Sequence, residues 1–451
     1  MRYLPHTPDD IDAMLRTIGA ASIDALFQSI PDALRLKGPL ALPPACSEPE
    51  LWRALQGLAE QNATPQRWAS FLGGGSYRHF IPAVVWQLVS RGEFLTPYTP
   101  YQPELSQGTL QAIFEYQSMM CELFGLDIAN ASTYDLSTGI VEAVFMAQRI
   151  TRRSEYCVMQ NVHPEIRAVT RTIVGLNPAA QATLVPYTRA GTVDLAALQC
   201  VLRPTCSACV VQYPSFFGTI EDLRPIADAV HAAGALLIVA VPDPIAMGLI
   251  EAPGTMGADI VVAEGQALGN PTSYGGPYVG IFATRTAYVR QMPGRLTGVT
   301  SDVLGRRSFV LTLTTREQHI RRERATSNLC TNQQLCALAT TIYTAWLGKE
   351  GFRRLARINW EKAEYAREEL TRLAGVRATF SAPTFHECVI TLPCPAASLL
   401  AALQEDRIFG GIALSRWYDD LPNALLVCVT EENTREEIDR FVAAVERHIR
   451  G

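Results

Sequence analysis

Two apolar runs decide the fold of this chain: GALLIVA at residues 234–240 and DIVVAEGQA at residues 259–267. Each run is short and apolar through its middle, which is typical of a strand buried on both faces of a sheet. A helical pattern at residues 223–233 precedes the first run. Strands that alternate with helices favour parallel βαβ units. The centre of the chain therefore predicts an α/β fold with a doubly wound, mostly parallel sheet.

Further patterns extend this sheet on both sides. Strands are expected near residues 155–160, 182–187, 208–212, 236–241 and 259–263, with a hairpin-like run at residues 278–284. Helices are expected at residues 109–124, from residue 164 onward and at residues 223–233. Together these elements predict a large α/β domain over residues 71–315.

The two ends of the chain carry different patterns. Before residue 70, short helical patterns alternate with proline-rich breaks, starting with a capped helix at Thr7, and this indicates an N-terminal helical arm over residues 1–70. After residue 315, helices are expected at 316–324, 332–347, 351–373 and 435–450, and strands at 376–380, 388–391 and 425–428. This order predicts a smaller α+β C-terminal domain over residues 316–451.

Composition excludes several classes of protein. Apolar residues make up 48% of the 451 residues and charged residues 18%, as in a well-packed globule. A net charge of −5 gives no basic footprint for nucleic acid or an anionic membrane. The first residues, Met1 to His6, form no apolar signal core, and the apolar stretch at residues 232–241 is too short to span a bilayer. We expect a soluble, cytoplasmic protein.

The eleven cysteines are scattered without a disulfide rhythm, which favours reduced thiols in the cytosol. Cys206 and Cys209 form a CxxC pattern, but residues 207–212 around it resemble a buried strand. Structural thiols are therefore favoured over a redox or zinc role, and no metal site is predicted.

Lysine is scarce in this chain. The sequence contains Lys37, Lys349 and Lys362 only, and none of them lies in the central half. An enzyme that holds its cofactor as a Schiff base needs a lysine amine at its site. The central sheet offers no residue for that bond.

A long irregular segment at residues 73–108 is rich in glycine, tyrosine and amides. It begins with GGGSYRH (73–79) and ends with YTPYQPELSQG (98–108). Loops of this length are uncommon in compact domains unless they serve a site or an interface. We expect this segment to have a functional role.

Four segments carry a family resemblance: FLGGGSYRHFIPAV (71–84), YTPYQPELSQGTLQ (98–111), NASTYD (130–135) and TREQHIRRERATSN (315–328). They closely resemble the P-protein (glycine decarboxylase) of the glycine cleavage system, in the N-terminal subunit of its split, two-subunit form. The resemblance extends over nearly the whole chain. It breaks at Arg78 and Arg324, where relatives tend to have Asp and Lys, and at residues 136–139, where a Gly-Ala-Thr run is commoner.

This resemblance implies a fold-type I architecture, that of pyridoxal-phosphate (PLP) transferases, and an α₂β₂ heterotetramer. The family decarboxylates glycine and transfers the aminomethyl group to the lipoyl arm of the H-protein. The homologous second subunit would bind PLP covalently on its lysine, and this chain would be the subunit without PLP.

The two strand runs allow a check on that implication. In fold-type I enzymes one strand usually ends in an Asp that pairs with the PLP ring nitrogen, and a later strand leads into the Schiff-base Lys, often after His. Here Ala240 stands near the Asp position, and Gln266 and Ala267 near the His-Lys position. Both anchors are missing, so we expect no catalytic residue of this chain's own and no covalent PLP on it.

The resemblance places several side chains at the active site of the partner subunit. These are Tyr77, His79, Tyr98, Tyr101, Gln102, Glu104, Ser106, Gln107, Asn130, Ser132, Tyr134, Thr326, Ser327 and Asn328. Hydroxyls and amides can orient a small amino acid or a lipoyl arm, and a histidine can transfer a proton near neutral pH. The alternatives are an interface loop whose tyrosines pack, a histidine that only donates hydrogen bonds, and helix caps at residues 130–135 and 326–328.

Three other motifs have mainly structural interpretations. His163-Pro164-Glu165 is typical of a strand-to-helix turn, and Gly275-Gly276-Pro277 of a vestigial phosphate turn or an interface turn. The arginines at 316, 321, 322 and 324 alternate with Glu317 and Glu323, which indicates a solvated or ion-paired helix face.

Three functions remain open at this point. The leading one is a catalytically required subunit without its own cofactor. The second is a non-catalytic scaffold or regulatory subunit of the same complex. The third, a self-sufficient PLP enzyme that uses Lys349, is disfavoured because Lys349 follows a helix in the C-terminal part.

Overall fold

The computed structural model describes residues 5–450 and divides into two compact units, one up to Ala63 and one from Thr64 onward. Residues 1–4, on which the expected absence of a signal peptide partly rests, lie outside the described residues. The first unit contains helices α1 (Pro8–Ile18) and α2 (Glu48–Ala59). The capped start of α1 is confirmed, because Thr7 and Asp10 form a capping box. No residue of either helix is buried.

The remaining helices belong to the second unit. They are α3 (Ala83–Val89), α4 (Gly92–Leu95), α5 (Gln107–Phe124), α6 (Leu136–Thr151), α7 (Pro164–Val174), α8 (Leu195–Val201), α9 (Leu223–Ala232), α10 (Gln318–Arg321), α11 (Gln334–Thr371), α12 (Ala396–Glu405) and α13 (Arg435–Arg450).

The strands also lie in the second unit. They are β1 (Ala69–Ser70), β2 (Ile128–Ala129), β3 (Glu155–Met159), β4 (Ala182–Val185), β5 (Cys206–Gln212), β6 (Leu236–Val241), β7 (Ile260–Glu264), β8 (Gly280–Thr284), β9 (Leu296–Ser301), β10 (Arg307–Thr312), β11 (Arg377–Ala378), β12 (Glu387–Thr391), β13 (Ile408–Phe409), β14 (Ile412–Ala413) and β15 (Ala424–Cys428).

The main sheet has seven strands in the order β2-β8-β7-β6-β5-β3-β4. Strands β3 to β7 pair in parallel, and β8 joins both β7 and β2 antiparallel. Every residue of β5, β6 and β7 is buried, as expected for strands covered on both faces by helices. The predicted doubly wound, mostly parallel sheet is confirmed.

A second, antiparallel sheet with the order β11-β12-β15-β14 follows in the chain. Its apolar side chains, among them Ile390 and Leu425, form one core with Leu403 of α12 and Phe441 of α13. Helix α11 bends at Gly348, whose φ of +57° falls in the left-handed region that glycine tolerates. That break separates the two helices predicted at residues 332–347 and 351–373.

The predicted charged helix at residues 316–324 is wrong in extent and exposure. Only the short helix α10 forms, flanked by 3₁₀ turns. Arg316 is only 9% exposed, and its guanidinium donates hydrogen bonds to the carbonyls of Leu313, Met292 and Gly294. Glu317 is buried as well, so these two residues do not form a solvated face.

Two further differences concern the end of the large sheet. The hairpin-like run predicted at residues 278–284 contributes a single strand, β8. The actual hairpin is β9–β10, with Leu296 paired to Thr312 and Ser301 to Arg307, which the sequence patterns did not reveal. Among residues 5–450, no helix combines the length and the apolar character needed to cross a membrane.

Candidate functional site

The carboxyl edge of the central strands is covered by the chain itself. Ligands of open α/β sheets bind in the crevice outside this edge. Here the segment Gly73–His79 crosses it and is fixed by residues that follow three of the strands. His163, after β3, donates from Nε2 to the Gly74 carbonyl at 2.7 Å. Gln266, after β7, holds both the N–H and the carbonyl of Tyr77, at 2.8 and 2.9 Å.

The third attachment is a buried charge cluster around His79. Its Nε2 lies 3.1 Å from Asp243 Oδ2, just after β6, and its Nδ1 lies 2.8 Å from Glu431 Oε2. Burial favours the neutral ring, but the two carboxylates outweigh it and raise the pKa of His79 to about 10. Burial opposes the charge of Asp243 too, yet His79 holds the pKa of Asp243 below its usual range. At neutral pH the ring is therefore an imidazolium that donates from both nitrogens.

His386 is the remaining histidine of this cluster. Its Nε2 also lies 3.1 Å from Asp243 Oδ2 but is not aligned for a hydrogen bond, and its ring nitrogens have no hydrogen-bond partner among the described residues. His79, Asp243 and His386 bring three ligand-type atoms within 4.8 Å. Both ring nitrogens of His79 are used by the contacts to Asp243 and Glu431. The cluster is better described as a charge network that joins the segment to the sheet.

Tyr77 is held by a second buried carboxylate. Its hydroxyl donates to Glu387 Oε2 at 2.8 Å, and the Gly74 N–H donates to Glu387 Oε1 at 2.6 Å. Burial raises the pKa of both Tyr77 and Glu387. Tyr77 thus connects the covering segment to β12 as a buried donor.

The N-terminus of α6, a candidate anion site, is satisfied internally. The Asp135 side chain accepts from the Thr138 N–H at 2.8 Å, and Glu264 Oε2 accepts from the Leu136 N–H at 3.1 Å. Burial raises the pKa of Glu264 to about 8. The helix-cap interpretation of residues 130–135 is therefore the one that fits, because the chain's own carboxyl groups use the donors that a phosphate would need.

These observations test whether the chain fits the cofactor of its resemblance. Ala240 and Ala267 are buried, and Ala267 offers no amine. A carboxylate does reach this edge from Asp243, two residues after β6, but it is bonded to His79. The carboxyl edge is covered by Gly73–His79, and the α6 donors are taken. A covalently held PLP does not fit these residues.

Part of the predicted lining set gathers around a cavity of about 240 Å³ between α5, the loop before it and the start of α11. Tyr98 and Ala131 line this cavity. Next to Ala131, Ser132 Oγ accepts from Asn332 Nδ2 at 3.0 Å, and the Tyr134 hydroxyl accepts from the Cys330 N–H at 3.4 Å. Asn130, also adjacent to Ala131, is buried and donates to the Pro293 carbonyl.

The other predicted residues lie elsewhere. Tyr101, Gln102, Glu104 and Asn328 are exposed, and Ser106 is half-buried at the start of α5. The Gln107 amide pairs with the backbone of Phe309 in β10. Ser327 Oγ caps the Leu329 N–H, and the Thr326 N–H donates to the Arg316 carbonyl. Tyr77 and His79 belong to the covered carboxyl edge.

Sequence reasoning missed most of the acidic partners. Glu264, Glu387 and Glu431 stand within strand or loop patterns that give no local signal of a site. Asp243 stands between two prolines after β6, and its histidine partners come from distant segments of the chain. The buried strand around Cys206 and Cys209 is confirmed, and Cys157 joins them in a buried group of three thiols within 4.8 Å.

The fold defines a class of protein. The sphingosine-1-phosphate lyase Bpss2021 of Burkholderia pseudomallei K96243 matches with a TM-score of 0.66 at 15% identity, over 93% of this chain and 95% of its own. At that identity the likeness concerns the fold alone. The architecture is that of the fold-type I PLP-dependent enzymes, as predicted.

The family follows from closer relatives. A glycine decarboxylase (P-protein) of the glycine cleavage system, solved in inhibitor-bound form, matches with a TM-score of 0.89 and 43% identity over 99% of this chain and 100% of its own. A probable glycine dehydrogenase (decarboxylating) subunit 1 of Sphingopyxis alaskensis is 51% identical over 99% of both chains. The model of the glycine cleavage system P-protein matches residues 1–445. The chain belongs to the P-protein family, which confirms the resemblance.

Proposed function

We propose that this chain is the subunit of glycine decarboxylase that carries no PLP, and that it works in an α₂β₂ heterotetramer with a homologous PLP-bearing subunit. The observation that carries the proposal is the covered carboxyl edge, where Gln266 and Asp243 hold residues 73–79. The name "subunit 1" of the relatives supports the existence of a partner. The scarcity of lysine supports the assignment of the cofactor to that partner.

In the proposed complex, glycine is decarboxylated and its aminomethyl group passes to the lipoyl arm of the H-protein. PLP on the partner supplies the electron sink for that chemistry. The contribution of this chain is to line the partner's site with the loop at residues 98–104. Tyr98 and Tyr101 are 69% and 76% exposed and stack on each other with ring centroids 6.3 Å apart. Exposed tyrosines of this kind are typical of surfaces that meet a partner.

The covered carboxyl edge of the sheet supports a second, structural role for this chain. A segment anchored at Tyr77 and His79 keeps the carboxyl edge fixed without a cofactor. The surface presented to the partner subunit is therefore formed before assembly. We place the complex in the cytoplasm, because the scattered cysteines suit a reducing compartment.

The test is H-protein-dependent exchange of labelled bicarbonate into glycine, with this chain alone, the partner subunit alone and the two mixed. Activity in the mixture only supports an obligate two-subunit enzyme. Activity of this chain alone contradicts the proposal. Full activity of the partner alone would assign this chain to the scaffold or regulatory alternative.

A further inference from the structure

Four arginines line one pocket of about 230 Å³ beside α10: Arg290, Arg316, Arg321 and Arg324. Thr315 and Thr326 line the same pocket, and no carboxylate does. None of these arginines is among the residues that cover the carboxyl edge of the sheet. A pocket lined by positive charge alone is unusual in a chain whose net charge is −5.

Arg316 forms the fixed base of this four-arginine pocket. Its guanidinium donates from Nε to the Leu313 carbonyl at 3.0 Å and from a terminal nitrogen to the Gly294 carbonyl at 3.0 Å, with a further bond to Met292. Carbonyls orient the guanidinium but carry no net charge. Burial lowers the pKa of Arg316, and the neighbouring Glu317 carboxylate opposes that shift.

Two carboxylates, those of Glu317 and Glu323, stand near the pocket arginines but do not line the pocket. The Glu317 carboxylate lies 3.7 Å from Arg295, which does not line the pocket, so its charge is shared between Arg295 and Arg316. Glu323 lies 3.8 Å from Arg324, but both side chains are largely exposed, and exposed pairs of this kind contribute little. The positive charge of the four arginines therefore exceeds the negative charge of the two carboxylates beside the pocket.

Arg290 and Arg321 complete the pocket from its exposed side. Both side chains are solvent-exposed, and within residues 5–450 neither forms an ion pair with a carboxylate. Their guanidinium groups are therefore not held by a carboxylate of the described residues. This combination of one fixed cation and several adjustable ones suits an anion with more than one charge.

We propose that the four-arginine pocket binds a doubly charged oxyanion: inorganic phosphate, or the phosphate group of a phosphomonoester. The planar fork of a guanidinium matches two phosphate oxygens at once, and threonine hydroxyls are further donors. A single carboxylate would leave most of the positive charge uncompensated. This binding site is independent of the glycine decarboxylase function proposed above.

The test uses the full-length chain and measures phosphate binding by isothermal titration, with sodium chloride at matched ionic strength as the salt reference. The double variant Arg290→Gln/Arg321→Gln removes the two adjustable cations without touching the buried Arg316. Arg203→Gln, an exposed arginine outside the pocket, is the matched control. A second arm replaces phosphate with glycerol 3-phosphate to distinguish free phosphate from a phosphate group on a larger molecule.

Saturable binding of phosphate is expected for the unmodified chain and the control. The double variant should bind about tenfold more weakly or worse, the size expected for lost charge-assisted hydrogen bonds. If glycerol 3-phosphate binds as tightly as inorganic phosphate, the pocket accepts phosphomonoesters. If only inorganic phosphate binds, the pocket is a site for free phosphate. No binding beyond the chloride reference, or equal binding by the double variant, would overturn the proposal.

Discussion

Gln266 holds the backbone of Tyr77 on both sides: its Oε1 accepts from the Tyr77 N–H at 2.8 Å and its Nε2 donates to the Tyr77 carbonyl at 2.9 Å. The same amide also donates to the Asn270 carbonyl at 2.9 Å. Gln266 stands where the resemblance leads one to expect a histidine before a Schiff-base lysine. The edge of the sheet that would receive a cofactor is used here to fix a segment of the chain.

Replacement of Gln266 by Ala tests this contact. It should lower the free energy of unfolding by about 2–5 kcal/mol, because the backbone groups of Tyr77 lose their buried partners. Urea unfolding measures the change. Gln404→Ala, at an exposed position of α12, is the control and should have little effect. An equal stability of the two variants would contradict the role of Gln266.

The bond between Tyr77 and Glu387 provides a second test. Tyr77→Phe should cost about 1–3 kcal/mol of unfolding free energy, because the buried Glu387 loses a donor. A double-mutant cycle with Glu387→Gln should show coupling between the two sites. Tyr365→Phe removes the matched Tyr–Asp bond at the surface and should cost less. Additive effects in the cycle would show that the Tyr77–Glu387 bond does not contribute.

His79 should make stability depend on pH. Its pKa is about 10 in the folded chain, above its ordinary value of 6.5. The stabilisation is therefore complete below about pH 6.5 and is lost as the pH rises towards 10. The stability advantage of the unmodified chain over His79→Gln should shrink by roughly 2–4 kcal/mol between about pH 6 and pH 10.

Unfolding curves at several pH values measure this difference, with His6→Gln as the control. His6 is exposed, so its replacement should have little effect on stability. A stability difference between the unmodified chain and His79→Gln that stays constant over this range would rule out the charged pairing with Asp243 and Glu431.

Tyr101 tests the proposed lining of the partner's site. Because Tyr101 is 76% exposed, Tyr101→Ala should change the stability of this chain by no more than about 0.5 kcal/mol. In the assembled complex the same variant should reduce bicarbonate exchange by about tenfold or more, as expected when a positioning contact is lost. Leu176→Ala, at an 82% exposed position, is the control. Unchanged exchange by Tyr101→Ala would favour the scaffold alternative.

Local patterns were sufficient for much of the fold. Strand β6 begins and ends at the predicted residues 236 and 241, because a fully buried strand is marked by its own apolar run. Helix α13 likewise matches the predicted residues 435–450. The β9–β10 hairpin escaped prediction because buried, half-buried and exposed residues follow one another in its strands without regular alternation, so neither strand has a clear apolar pattern.

The sequence predicted which cofactor-binding residue the candidate site lacks, but not the segment that covers the site. The absence of a central lysine could be read directly from the sequence. The covering segment could not, because Tyr77 is 189 residues from Gln266 and 310 residues from Glu387 along the chain. The burial of Arg316 was not predicted for the same reason. Its carbonyl partners at Met292 and Gly294 lie 24 and 22 residues earlier in the chain.

The proposal that PLP is bound by the partner subunit and not by this chain can be tested directly in the active two-subunit complex. The complex is reduced with borohydride, which converts a Schiff base into a stable adduct, and each subunit is then weighed and mapped by mass spectrometry. We expect a stoichiometric pyridoxyl adduct on the partner subunit and none on this chain. A stoichiometric adduct on Lys37, Lys349 or Lys362 of this chain would contradict the proposal.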